Sequence, residues 1–68
     1  MNIILSNIEV KILDLMAQEY NSKAIAGKIN ITHKAVLNHR ERMLKKTQCL
    51  NGIGLVIWAI KNNIIVVR

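Results

Sequence analysis

Between Asn21 and Lys46 the chain carries two helix starts eleven residues apart, with a helix exit between them. That spacing requires two helices meeting at a tight corner. Asn21 or Ser22 can cap the first helix with a side-chain oxygen, and Asn30 tolerates the left-handed backbone that an exit needs. Thr32 caps the second. From it, apolar positions recur at Val36, Met43 and more weakly Thr47, which lie within roughly 40° of one another on a helical wheel and so point inward. The opposite side carries Lys34, Leu37, Asn38, Glu41, Arg42 and Lys45, a face suited to meeting an anion. Ala26 is small enough for two backbones to cross closely, while Ile25, Ile29 and Ile31 supply an apolar plug at the corner. The expected motif is a helix-turn-helix.

The surrounding sequence completes an all-α domain. Ser6 and Glu9 have the S-x-x-E spacing of a capping box, with Leu5 placed as its staple, and they open a helix over residues 7–19 whose apolar stripe is Ile8, Ile12, Leu15 and Met16. The corner helices span about 22–29 and 33–46. Asn51 then caps a fourth, over 51–62, with Leu55, Val56, Ala59 and Ile60 on its buried side. Ile53, Ile57 and Trp58 cannot all reach a core this small, and an exposed apolar strip usually marks a partner surface. The tail from Ile64 to Val67 either docks on the body or adds sticky surface.

At 68 residues the chain holds one domain, with little room for a deep pocket and its scaffold, so binding is expected rather than catalysis. A net charge of +6 fits nucleic acid, an acidic partner or an anionic membrane, and its placement decides among them. Residues 1–20 hold Glu9, Asp14 and Glu19 against Lys11, whereas residues 21–68 hold nine basic residues against Glu41. The positive field therefore belongs to the corner and its flank. Cys49 has no cysteine to pair with and reads as a small reduced hydrophobe; no ligand spacing suggests a metal or other cofactor. No signal-peptide pattern is visible after Met1 and the apolar run from Ile53 to Ile60 is too short to span a bilayer, so a cytoplasmic protein without membrane contact is expected.

Three segments of this layout match a known pattern: Leu5-Ser6-x-x-Glu9 with Ile12-Leu13-x-Leu15; Lys23-x-Ile25-Ala26 with Ile29-x-Ile31-Thr32; and Val36-x-x-His39 with Met43 and Lys46. They hold one register without a gap over about residues 4–65, and the chain resembles the LuxR/GerE-type four-helix DNA-binding domain. The resemblance implies a bacterial transcription regulator that dimerises through its last helix and lays its third in the major groove. Double-stranded DNA is then the expected partner, with a second copy or a related regulator across the dimer interface, and RNA polymerase a further candidate. Most such proteins carry a receiver or ligand-sensing domain ahead of this module. A chain beginning at Met1 is expected to lack one, unless it is an excised fragment, and to be controlled by abundance or by another protein. Departures from the pattern are Glu19, Ala24, Ala35, Thr47 and Gln48 where Gly, Glu, Thr, Leu and Gly are usual, and Gly52 where Arg is common.

On this reading Lys34, Leu37, Asn38 and Glu41 face base edges. Lys23, Thr32, His39, Arg42, Lys45 and Lys46 face phosphates, and Ile53, Ile57 and Trp58 form the dimer interface. Lys23 opens a helix whose free amides favour an anion, and Thr32 is a cap first. His39 is open between a packed hydrogen-bonder and a DNA contact. Arg40 can lay its stem on the apolar side with its head at the surface. The rival reading is a degenerate helix-turn-helix that binds another regulator or polymerase through Leu37, Glu41 and the strip around Trp58.

Overall fold

Each helix starts where a side chain takes up a backbone amide of its own first turn. In the computed structural model, which describes residues 3–66, Ser6 accepts from the Glu9 amide, Asn21 from Ala24, Thr32 from Ala35 and Asn51 from Gly54, at 2.8–3.2 Å. These caps open α1 (Asn7–Ala17), α2 (Ser22–Ile29), α3 (His33–Thr47) and α4 (Gly52–Lys61), and the described residues contain no strand. α1 ends two residues earlier than its apolar pattern suggested, because Glu19 turns left-handed at φ 70°. The Glu19 and Tyr20 amides then return to Met16 and Leu15, closing the helix in the paired-bond manner usually reserved for glycine.

Asn30, Gln48 and Asn63 take the same left-handed backbone at the other three exits. Asparagine tolerates it; Glu19 and Gln48 carry its steric cost. At the last exit the Ile64 amide returns to the Ala59 carbonyl at 2.9 Å, which swings Ile65 onto the body. The tail therefore docks through Ile65, leaves Val66 outside, and continues to Val67 beyond the described residues.

α1 and α3 each pack on all the other helices, while α2 and α4 do not touch. The core between them is Ile12, Leu13, Ile25, Val36, Met43 and Leu55, closed by Ala26, Ala59 and Ile65. Ala26 and Ile25 sit where the corner needs them. On α4, Leu55 and Ala59 are buried and Val56 and Ile60 half-buried, as their spacing predicts. Cys49 is free, half-buried and packed against the core.

One expectation is corrected. On α1, Ile8 remains 42% exposed while Leu13, outside the predicted stripe, is completely buried. The buried face is centred on Glu9, Ile12, Leu13 and Met16, rotated by roughly 60° from the apolar stripe. The cause is Glu9, which is only 2% exposed. On α4, Trp58 is half-buried against the core, whereas Ile53 and Ile57 remain outside it.

Gly27 lies inside α2, is exposed, and has nothing within 4 Å of the position a Cβ would take. Gly27→Ala is therefore expected to stabilise the domain by about 0.5–1 kcal/mol through helix propensity alone. Gln48→Gly relieves a left-handed side chain but loosens the unfolded chain, for a net gain of roughly 0.5 kcal/mol. Thermal melts check both; a lower midpoint in Gly27→Ala would mean that the open space around residue 27 is filled in solution.

Candidate nucleic-acid interface

The two capped helix starts at the corner place their free amides and their first side chains on one side of the molecule. Lys23 stands exposed in the first turn of α2, beside backbone N–H groups that suit an anion. Thr32 uses its oxygen as an acceptor from Ala35, which leaves its hydroxyl proton free to donate outward. Beyond it α3 exposes Lys34, Leu37, Asn38, Glu41, Arg42 and Lys45, the face read from the wheel, with Lys46 exposed on its flank. Lys45 and Glu41 pair at 3.5 Å, one turn apart and well exposed, so the carboxylate is partly neutralised at little energetic consequence. Among the described residues, Lys23, Lys34 and Arg42 make no ion pair.

His39 and Lys46 are placed differently. His39 Nδ1 lies 3.2 Å from Glu9 Oε2, and Lys46 Nζ lies 3.6 Å from Glu9 Oε1 and donates to the Ile4 carbonyl at 3.3 Å. Glu9 Oε1 also accepts the Ser6 amide at 3.1 Å, so one buried carboxylate closes the capping box and ties α3 to α1 at two points. Burial raises the Glu9 carboxyl, but the Ser6 amide, the His39 hydrogen bond and the Lys46 and His39 charges outweigh it and hold the group below its ordinary value. A carboxylate at Nδ1 fixes the proton there, so the neutral imidazole offers only an acceptor at Nε2, and the imidazolium offers a donor to a phosphate. Lys46 has three donors, of which Ile4 and Glu9 engage two.

Sequence reasoning read Glu9 as a cap and missed its reach to α3. The signal was available: His39 and Lys46 are seven residues apart, two turns on one helix face, and so can share a single partner. Arg40 was read as a residue with a packed stem and a surface head. It donates from Nη1 to Ser22 Oγ at 2.7 Å and braces α3 against the first turn of α2. Gly52 makes room for it, since a Cβ there would lie 2.8 Å from Arg40 Nη2. On the remaining face, Ile53 and Ile57 are exposed and Trp58 half-buried.

No described helix is long and apolar enough to cross a membrane. Among the described residues, no group of three or more His, Cys, Asp or Glu is placed to hold a metal ion.

Residues 3–59 match the family model of bacterial regulatory proteins, luxR family. Among curated proteins, the chain is 33% identical over 61 residues to the virulence-factor transcription regulator BvgA of Bordetella pertussis, and equally to that of Bordetella bronchiseptica. The match covers 90% of this chain and 29% of the length of each relative. No solved structure matches the chain significantly. With four helices, a capped corner and a family match over residues 3–59, the chain belongs to the luxR family of bacterial regulatory proteins.

Proposed function

We propose that this domain regulates transcription by binding double-stranded DNA as a homodimer, with α3 in the major groove. The observation that carries the reading is the outward face of α3, where Lys34, Asn38 and Arg42 stand exposed next to Lys23 and Thr32 and where, among the described residues, neither Lys34 nor Arg42 makes an ion pair. Lys34 reaches guanine acceptors, Asn38 pairs with adenine N6 and N7, Leu37 meets a thymine methyl and Glu41 accepts from cytosine N4. Lys23, Thr32, Arg42 and Lys45 hold phosphates, as do Lys46 through its remaining donor and His39 when protonated. Ile53 and Ile57, with the edge of Trp58, form the contact between copies. RNA polymerase is a natural further partner for a transcription regulator, the role that the relative BvgA is named for.

Selection from a random pool of duplexes tests the whole reading. The parent domain is expected to enrich a sequence with two related half-sites, the mark of a symmetric dimer. Asn38→Ala should relax preference at one base pair in each half-site, at about 1–3 kcal/mol of discrimination. Lys45→Ala should weaken binding to every sequence alike. If both variants lose affinity uniformly and still enrich the parent's sequence, Asn38 does not read a base and shape readout takes its place.

A further inference from the structure

The outward face of α3 continues into an open trough that shares Lys23 and Leu37 with the proposed DNA face and Ile53 and Ile57 with the proposed contact between copies. The trough, about 900 Å³, runs between the end of α1, the first turn of α2, α3 and the start of α4. Its walls are Tyr20, Leu37, Ile53 and Ile57, which are 38%, 43%, 75% and 47% exposed. Lys23, His33 and Arg40 line it as well, and no lining residue is acidic. Arg40 brings its guanidinium charge to this wall, with Nη1 held by Ser22 Oγ.

From this placement we infer that the trough docks an acidic amphipathic helix of another protein, and that this helix and DNA exclude one another. Apolar side chains of the incoming helix pack between Leu37 and the Ile53–Ile57 ridge, and its carboxylates meet Lys23 and Arg40. A small ligand is a poor occupant, because pockets for such molecules bury most of the ligand surface and these walls remain wet. A helix in a groove needs only an apolar trough with complementary charge along its edge. Roughly 14 helical residues span about 21 Å, within the 31 × 25 × 20 Å extent of the domain. Exclusion follows from shared residues and rests on the proposed DNA face: Lys23 and Leu37 serve both surfaces. Docking itself does not depend on that reading.

The test is a displayed library of 14-residue helical peptides, selected on the immobilised domain at a concentration where sedimentation finds it monomeric. The expected result is enrichment of peptides with an apolar stripe flanked by Asp and Glu. Their affinity should fall about tenfold or more in Ile53→Glu, an exposed change early in α4 whose helical circular dichroism should match the parent. A random duplex at low salt should displace them. No acidic amphipathic consensus, equal binding to Ile53→Glu, or peptide and duplex bound together would each overturn the inference. A trough that stays closed by self-association, with no peptide able to enter, would assign it to a second copy instead. If the domain retains no duplex yet binds the peptides through Ile53, docking stands and it is the DNA reading that fails.

Discussion

Retention of a random-sequence duplex at 50 mM salt is expected to be lost by 200 mM, an affinity change of about ten-thousandfold. Four cations per subunit, Lys23, Arg42, Lys45 and Lys46, give a dimer about eight phosphate contacts. At roughly 0.9 counterions released per contact, log affinity should fall against log salt with a slope near −7. Lys45 enters the count despite its Glu41 partner, because an exposed pair at 3.5 Å is easily exchanged for a phosphate. Lys46 enters through its third donor. Removing either lysine should make the slope shallower by about 2, one phosphate in each half of the dimer. A parent slope shallower than about −2 would contradict the phosphate map, and an unchanged slope in Lys46→Ala would leave that residue wholly with Glu9 and Ile4.

Replacing Glu9 should move stability and DNA affinity in opposite directions. Glu9→Ala removes the return half of the capping box and the buried partner of His39 and Lys46, at about 2–3 kcal/mol. In a domain this small the thermal midpoint then falls by more than about 8 °C. Glu9→Gln keeps an acceptor for the Ser6 amide and should lose only part of that stability. Either variant raises the net charge from +6 to +7 and frees Lys46 on α3, so binding to a random duplex at low salt should strengthen while the fold weakens.

Acid separates the contributions further. Because the folded Glu9 carboxyl lies below its ordinary value of 4.5, its charge stabilises the domain fully above that pH and ceases to do so as pH falls through the lower folded value. The gap between parent and Glu9→Gln in urea midpoint should therefore be full at neutral pH and narrow below 4.5. A gap independent of pH would assign the effect to packing rather than charge.

The fold was legible wherever structure is local. Ser6, Asn21, Thr32 and Asn51 cap the helices at the positions their spacing announced, and the inward line of Val36 and Met43 is buried. The outward residues of α3 were legible for the same reason, since a wheel fixes which side chains oppose a buried line. What escaped was tertiary. A charged residue counts as surface in any apolar pattern, so burying Glu9 rotated α1 away from the stripe that Ile8 had suggested. Trp58 was harder still, because whether a large ring closes its own core or waits for another depends on space left by three other helices. Arg40 reaching Ser22 across the corner has no signature in spacing at all.

Glu19 and Gln48 hold left-handed turns at the ends of α1 and α3, and neither belongs to the proposed DNA-reading residues. That separation bears on how far the specificity of the domain can be rewritten. New base-reading side chains at 34, 37, 38 and 41 will mostly weaken the fold, and a small domain tolerates few such losses before it unfolds. Glycine at 19 and 48 supplies tolerance from positions outside the readout, so a variant carrying both is the better ancestor for any attempt to evolve a new operator.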